Sequence, residues 1–356
     1  MFASSDLADR RGRELDTRSY LYEAALEYGG SGGLVHAAIG RVGLWDLPTV
    51  GSVDGGRLGL RLGPLEVGGF GGLDAALDGS DRGRTSWGGY LRFETPPGEV
   101  WSWDLSTAYE RTSTDGGGKL DRELIAADTR LRWHPWLTAY GRVELDLYGN
   151  TQNLLGRSDI ELTDVYGSLT LRPLDPWTIG LSFDRRLPFF GEQTLRELAP
   201  EARTALPDEV LSTARLDTRV DLPRAWWVGA AVDLRRGGEN GDRNTWTLEG
   251  GCYAISDEPA IGFDLALEAW QGDLWRGEAG RFGLSYSPLA VLDLSLRYEL
   301  TLDRFEPTGL DVTRHDVQAD VFWRMGRRMS LNLTGGWETG DDVDRQYVSL
   351  DWVYRF

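Results

Sequence analysis

Read two residues at a time, this chain alternates almost from end to end, and that period restricts it to extended strands with one apolar and one polar face. From about Asp16 to Tyr28, Tyr20, Tyr22, Ala24, Leu26 and Tyr28 share one face, with Ser19, Glu23 and Glu27 on the other. Between Val100 and Thr112, Trp101, Trp103, Leu105 and Tyr109 oppose Ser102, Asp104, Ser106 and Glu110. Similar runs cover Leu34 to Asp46, Val53 to Gly63, Leu65 to Ala75, Gly83 to Glu94, Leu120 to Trp133, Leu137 to Gly149, Ile160 to Arg172 and Trp177 to Arg186. After a longer insertion they resume at Val210 to Leu222, Trp226 to Arg235, Arg243 to Ala254, Ile261 to Asp273, Arg281 to Ser287, Leu289 to Asp303, Thr313 to Arg324, Arg328 to Glu338 and Asp344 to Phe356. The total is roughly nineteen strands, most of them near the about 9 to 11 residues that cross a bilayer at a tilt.

The connections alternate in kind. One set is short and often holds proline, as at Gly63-Pro64, His134-Pro135, Leu174-Asp175-Pro176, Leu222-Pro223 and Ser287-Pro288. The other set is longer and polar: Asp78 to Thr85, Ser113 to Lys119, Asn150 to Asp159, Arg236 to Asp242, Asp303 to Asp311 and Thr339 to Asp344. Short turns on one rim and long loops on the other is the asymmetry of an up-and-down β-barrel in a membrane.

Composition agrees. Only 41% of the 356 residues are hydrophobic and no apolar run approaches eighteen, which excludes a helical membrane protein. A barrel hides its hydrophobicity by alternation, and fifteen Trp with thirteen Tyr suit two interfacial girdles. A net charge of -18 argues against a nucleic-acid partner. Cys252 is the only cysteine, so neither an internal disulfide nor a Cys-x-x-Cys-His haem attachment is available. No linker divides the chain, so residues 16–356 are expected to form one barrel after a polar segment at 1–15.

The last strand carries the one family signature. Val348, Leu350, Trp352, Tyr354 and the terminal Phe356 form an apolar row opposite Ser349, Asp351 and Arg355. This pattern resembles the C-terminal insertion signal of bacterial outer-membrane β-barrels, with Trp352, Tyr354 and Phe356 as its aromatics. The resemblance implies an all-β, transmembrane, antiparallel up-and-down barrel of about 18 to 20 strands, with short periplasmic turns and longer outer loops. It also implies an integral outer-membrane protein that meets lipid and lipopolysaccharide and is inserted by the barrel-assembly machinery. Met1 to Arg13 has no signal-peptide core, and an even strand number requires a strand before Asp16. Both expectations point to a start upstream of Met1; a strand count wrong by one is the alternative.

Mid-strand charge falls opposite the aliphatic residues, as expected where Arg on a lipid face costs roughly 2 to 4 kcal/mol at mid-bilayer. The polar wall is expected to carry Arg41, Arg57, Arg61, Arg92, Arg130, Arg142, Asp146, Arg215, Arg219, Asp264 and Arg297, with mixed signs suggesting ion-paired ladders. The insertion Leu187 to Glu209 departs from strand period: Thr194 and Glu197 fit a capping box, and Leu195, Leu198 and Ala202 would share a helical face. Folded inward, it would place Arg196, Glu197, Glu201 and Arg203 at a constriction; packed outward, it would be a lid or docking loop.

No catalytic site is expected. Gly29-Gly30-Ser31-Gly32-Gly33 matches a nucleophile elbow in letters but lies between strands, without the following helix that motif needs. His36, His134 and His315 lack metal spacing, and Asp341, Asp342 and Asp344 read first as a solvated acidic turn rather than a calcium site. Neither a cofactor nor a metal is expected. A porin-like channel for small hydrophilic solutes or ions is the leading functional expectation. A sheath or anchor for a periplasmic or extracellular partner, such as a multihaem cytochrome, is the alternative.

Overall fold

The computed structural model describes residues 24–354, apart from 30–32, 49, 75–82, 97, 99, 115–118, 134, 148–158, 188–208, 239–240, 256–259 and 342. The N-terminal residues 1–23, the insertion with Arg196, Glu197, Glu201 and Arg203, His134, Arg355 and Phe356 therefore lie outside the described residues. Every described element is a strand. In order they are β1 (Ala24–Tyr28), β2 (Val35–Gly43), β3 (Ser52–Leu62), β4 (Leu65–Asp74), β5 (Thr85–Glu94), β6 (Trp101–Thr114), β7 (Lys119–Trp133), β8 (Leu137–Leu147), β9 (Ile160–Leu174) and β10 (Trp177–Arg186). There follow β11 (Leu211–Asp221), β12 (Trp226–Arg236), β13 (Arg243–Cys252), β14 (Ala260–Gly272), β15 (Trp275–Leu289), β16 (Leu292–Phe305), β17 (Leu310–Arg324), β18 (Met329–Gly340) and β19 (Asp344–Tyr354).

Two compact units share these strands. In the first, β1 to β7 pair antiparallel with their sequence neighbours, for example Ala37 opposite Leu58 and Arg57 opposite Phe70. In the second, β11 to β19 do the same, ending with Leu333 opposite Leu350. Because side chains alternate across a strand, these registers put every second residue of neighbouring strands on one common face. One such face is apolar and open: Leu58 is 59% exposed, Leu248 60% and Trp352 65%. Rows of this kind on strands of both units exceed the few hundred Å² of contiguous apolar surface that a soluble monomer carries, and they suit lipid.

The polar face is built around glycine. Register pairs set an aromatic directly across from a glycine: Phe70 from Gly88 and Tyr90 from Gly68 in the first unit, Trp270 from Gly277 and Tyr347 from Gly336 in the second. A Cβ on Gly68 would lie 2.5 Å from Tyr90 Cζ and 2.5 Å from the Leu58 carbonyl oxygen, so only glycine lets the ring lie flat on the sheet.

Four boundaries differ from the sequence expectation. The run Leu34 to Asp46 is not one strand. β2 stops at Gly43, and Leu44 to Val50 turns back over the polar face, helped by Pro48, which cannot donate to a ladder. The run Arg281 to Ser287 is extended back to Trp275 in β15, and Pro288 is not in a turn: it lies in β15 beside a register shift between Tyr286 and Leu289, with the turn following at 290–291. Finally, the expected long loops from Asp303 and from Thr339 are short, because β16 runs to Phe305 and pairs it with Leu310, and β18 runs to Gly340. The asymmetry between short turns and long loops therefore does not extend to β16–β19.

Candidate functional site on the polar face

The segment 44–50 brings the site together. Leu47 N–H donates to the Leu44 carbonyl at 2.9 Å, closing a turn that points Leu44, Leu47 and Val50 onto the sheet. There they form a buried cluster with Ala38, Val42, Val53, Phe70, Tyr90 and Ala108; Leu44 is 0% exposed. Small side chains at Ala38 and Ala108 leave the depth that this packing needs. Asp46, on the same turn, reaches polar partners.

Those partners are arginines on β3 and β5. Arg57 Nη1 donates to Asp46 Oδ1 at 2.7 Å, and Arg92 Nη1 donates to Asp46 Oδ2 at 3.1 Å, so each carboxylate oxygen holds one guanidinium. Arg57 also donates from Nε to Tyr90 Oη at 2.8 Å and from Nη2 to Glu66 Oε1 at 3.2 Å, with its Cζ 4.4 Å from the Tyr90 ring centroid. Tyr90 O–H donates to Glu66 Oε1 at 2.7 Å, and Arg61 Nη2 donates to Glu66 Oε2 at 2.9 Å. A guanidinium offers five donors in a fixed fork, so Arg57 can tie strand, loop and tyrosine together at once. With Arg57 and Glu66 buried at its centre and Asp46, Arg61 and Arg92 half-buried around them, the network holds the loop by charge as well as by packing.

A second cluster in the same unit continues along the polar face. Arg122 donates to both oxygens of Asp146, at 2.6 and 2.9 Å, and Thr163 Oγ1 donates to Asp146 Oδ2 at 2.6 Å. Arg142 Nη2 meets Asp164 Oδ2 at 2.6 Å, Arg84 Nη2 meets Asp121 Oδ2 at 2.6 Å, and Ser86 donates to Glu110 at 2.5 Å. Arg130 lies 5.9 Å from the Tyr140 ring centroid.

The second unit keeps its polar face wetter. Arg215 pairs with Asp233 at 3.0 Å and Asp217 at 3.4 Å while 46% of its side chain stays exposed. Arg219 lies 4.3 Å above the Trp227 ring and 5.1 Å from that of Tyr253, and Arg243 lies 4.9 Å from that of Trp270. Asp320 accepts from Thr334 at 2.7 Å and Ser295 at 3.1 Å. Asp264 stands opposite Gly283, and Arg297 opposite Gln318.

Most of the expected wall residues thus share the polar face within their own units. Arg57 and Arg61 meet through Glu66, and Arg142 and Asp146 lie in the second cluster, whereas Arg215, Arg219, Asp264 and Arg297 are spread over several strands. Arg41 is a correction. It has the parity of Ile39, which is 67% exposed, and lies on the apolar side, where its Nε and Nη2 grip Asp54 at 2.7 and 2.6 Å. The bidentate pair lies two register pairs from the Gly43–Ser52 end of β2 and β3, where the cost of charge on a lipid face is small. Asp46, Glu66 and Tyr90 were not among the expected residues. Glu66 has the signal of polar parity between Leu65 and Val67, and Tyr90 faces Gly68; Asp46 has none, because its position depends on a loop folding back. His315 Nδ1 is 2.8 Å from Tyr298 Oη, Asp341 accepts from the Thr313 N–H at 2.8 Å, and Trp352 and Tyr354 lie on the exposed apolar side.

Nineteen described strands in sequential antiparallel order, with one apolar and one ion-paired face, define the class: an all-β, up-and-down protein of the membrane β-barrel type. No family model and no curated protein matches the chain. Among solved structures it is similar to one described as a bacterial polysaccharide outer membrane secretin, with 16% identity and a TM-score of 0.40 over 82% of this chain and 97% of that one. It is also similar to Wzi of Escherichia coli, described as a carbohydrate-binding β-barrel involved in group 1 capsule assembly, with 12% identity and a TM-score of 0.36 over 79% of each chain.

Proposed function

We propose that the chain is a porin-like channel through which small hydrophilic solutes or ions diffuse passively across the outer membrane, narrowed by the inward segment Leu44 to Val50. The observation that carries this is the contrast within the polar face. In one unit it is covered by a loop tethered through Asp46, and in the other its paired charges remain open to water. Mixed, paired charge keeps such a wall wet without a strong preference for either ion sign. The expected inward insertion at Leu187 to Glu209 is not required for this arrangement. Swelling of liposomes carrying the refolded protein, driven in turn by arabinose, glucose, sucrose and raffinose, tests it. The expected result is a rate that falls with solute size. No swelling with any sugar from protein shown to be inserted would favour a closed or occupied barrel, the sheath alternative.

A further inference from the structure

A cavity of about 820 Å³ opens at the Gly63-Pro64 end of β3 and β4. This lies within the about 300–1,000 Å³ of ordinary small-ligand sites. Its wall mixes acceptors and donors: Glu27 and Glu94 on one side of the balance, His36, Arg61 and Arg92 on the other, with Glu66 between them. Glu66 is 4% exposed and already held by Arg57, Arg61 and Tyr90, so it orients the guanidinium groups rather than greeting a ligand. Glu27 has no hydrogen-bond or ion-pair partner among the described residues. Arg92 spends Nη1 on Asp46 and Nη2 on Glu94 at 3.1 Å each, leaving other donors of its fork for a guest. Tyr28, Pro64 and Pro96 add apolar surface at the rim.

We propose that this cavity binds a neutral polyhydroxylated solute, a hexose or a short oligosaccharide. Each hydroxyl both donates and accepts, so it can bridge a carboxylate such as Glu27 or Glu94 and a guanidinium such as that of Arg92 at once. The C–H faces of the sugar ring find Tyr28 and the two prolines. Charge balance selects against the rivals: Arg61 is matched by Glu66, and Arg92 by Asp46 and Glu94, so no guanidinium charge is left over for a sugar acid, and Glu27 alone is left for the two ammonium groups of a diamine. Binding here does not depend on whether the chain conducts, and it goes beyond the channel proposal.

Isothermal titration of the full refolded chain in detergent with maltose, glucuronate and putrescine tests this, alongside Glu27→Gln and Glu94→Gln. Glu27 lies off the loop tether, Glu94 meets it only at Arg92 Nη2, and each variant is checked for its folded gel mobility. Maltose alone is expected to bind, and each substitution to weaken it about ten-fold, the loss of one charge-assisted hydrogen bond. No maltose binding, equal binding by wild type and both variants, or preferential binding of glucuronate or putrescine would overturn the proposal.

Discussion

Single residues carry definite costs in this sheet. Asp46→Ala removes the shared partner of Arg57 and Arg92 and leaves Arg57, whose side chain is 5% exposed, with Glu66 and Tyr90 only. A loss of about 1 to 3 kcal/mol is expected, read as a lower urea midpoint for unfolding in detergent. Gly68→Ala drives a methyl group into Tyr90 and the Leu58 carbonyl, and overpacking of that kind costs about 1 to 3 kcal/mol. Gly89→Ala, whose Cβ would lie 3.6 Å from the nearest atom, the Gly68 carbonyl oxygen, is expected to be neutral by the same measurement. The parity of these residues was legible from the sequence, since period two assigns Arg57 and Trp352 to opposite faces without any tertiary information. Their partners were not. Arg57 could be placed on the wall, but its hold on Asp46 requires a chain reversal that no alternation signals. Arg41 failed for a related reason: charge was assigned to the polar face wholesale, and a bidentate partner one strand away makes the exception stable.

At the scale of elements, β19 and the 44–50 segment are the two to test. Val348, Leu350 and Trp352 lie exposed in one row of β19, between 62% and 70%. An aspartate at the centre of such a row must enter lipid, so Trp352→Asp is expected to abolish assembly, and Ser349→Asp, on the polar face opposite Thr334, to assemble normally. Heat-modifiable mobility of outer-membrane fractions separates the two outcomes, and normal assembly of Trp352→Asp would contradict the facing of β19. Element existence was readable because roughly nineteen alternating runs give the nineteen described strands. Ends were less so. Asp303 to Asp311 looks like a polar loop, yet Trp275 and Phe305 pack with ring centroids 4.7 Å apart and extend the ladder past it. The polar residues there, Arg304 and Asp311, belong to strand ends rather than to a loop. Pro288 suggested a turn, but a register shift beside it accommodates its missing N–H.

For the whole molecule, the apolar face requires lipid and the polar face requires water or a guest. What decides function is whether water passes. Packing of Leu44, Leu47 and Val50 together with the Asp46 tether keeps the segment on the wall at rest, so the proposed channel has a fixed constriction rather than a mobile gate. The most direct test is single-channel conductance in a planar bilayer, comparing the wild-type chain with one in which residues 44–50 are replaced by a two-residue turn. Stable steps that grow in the shortened chain are predicted. Steps of unchanged size from a folded, inserted shortened chain would contradict the inward segment as the constriction.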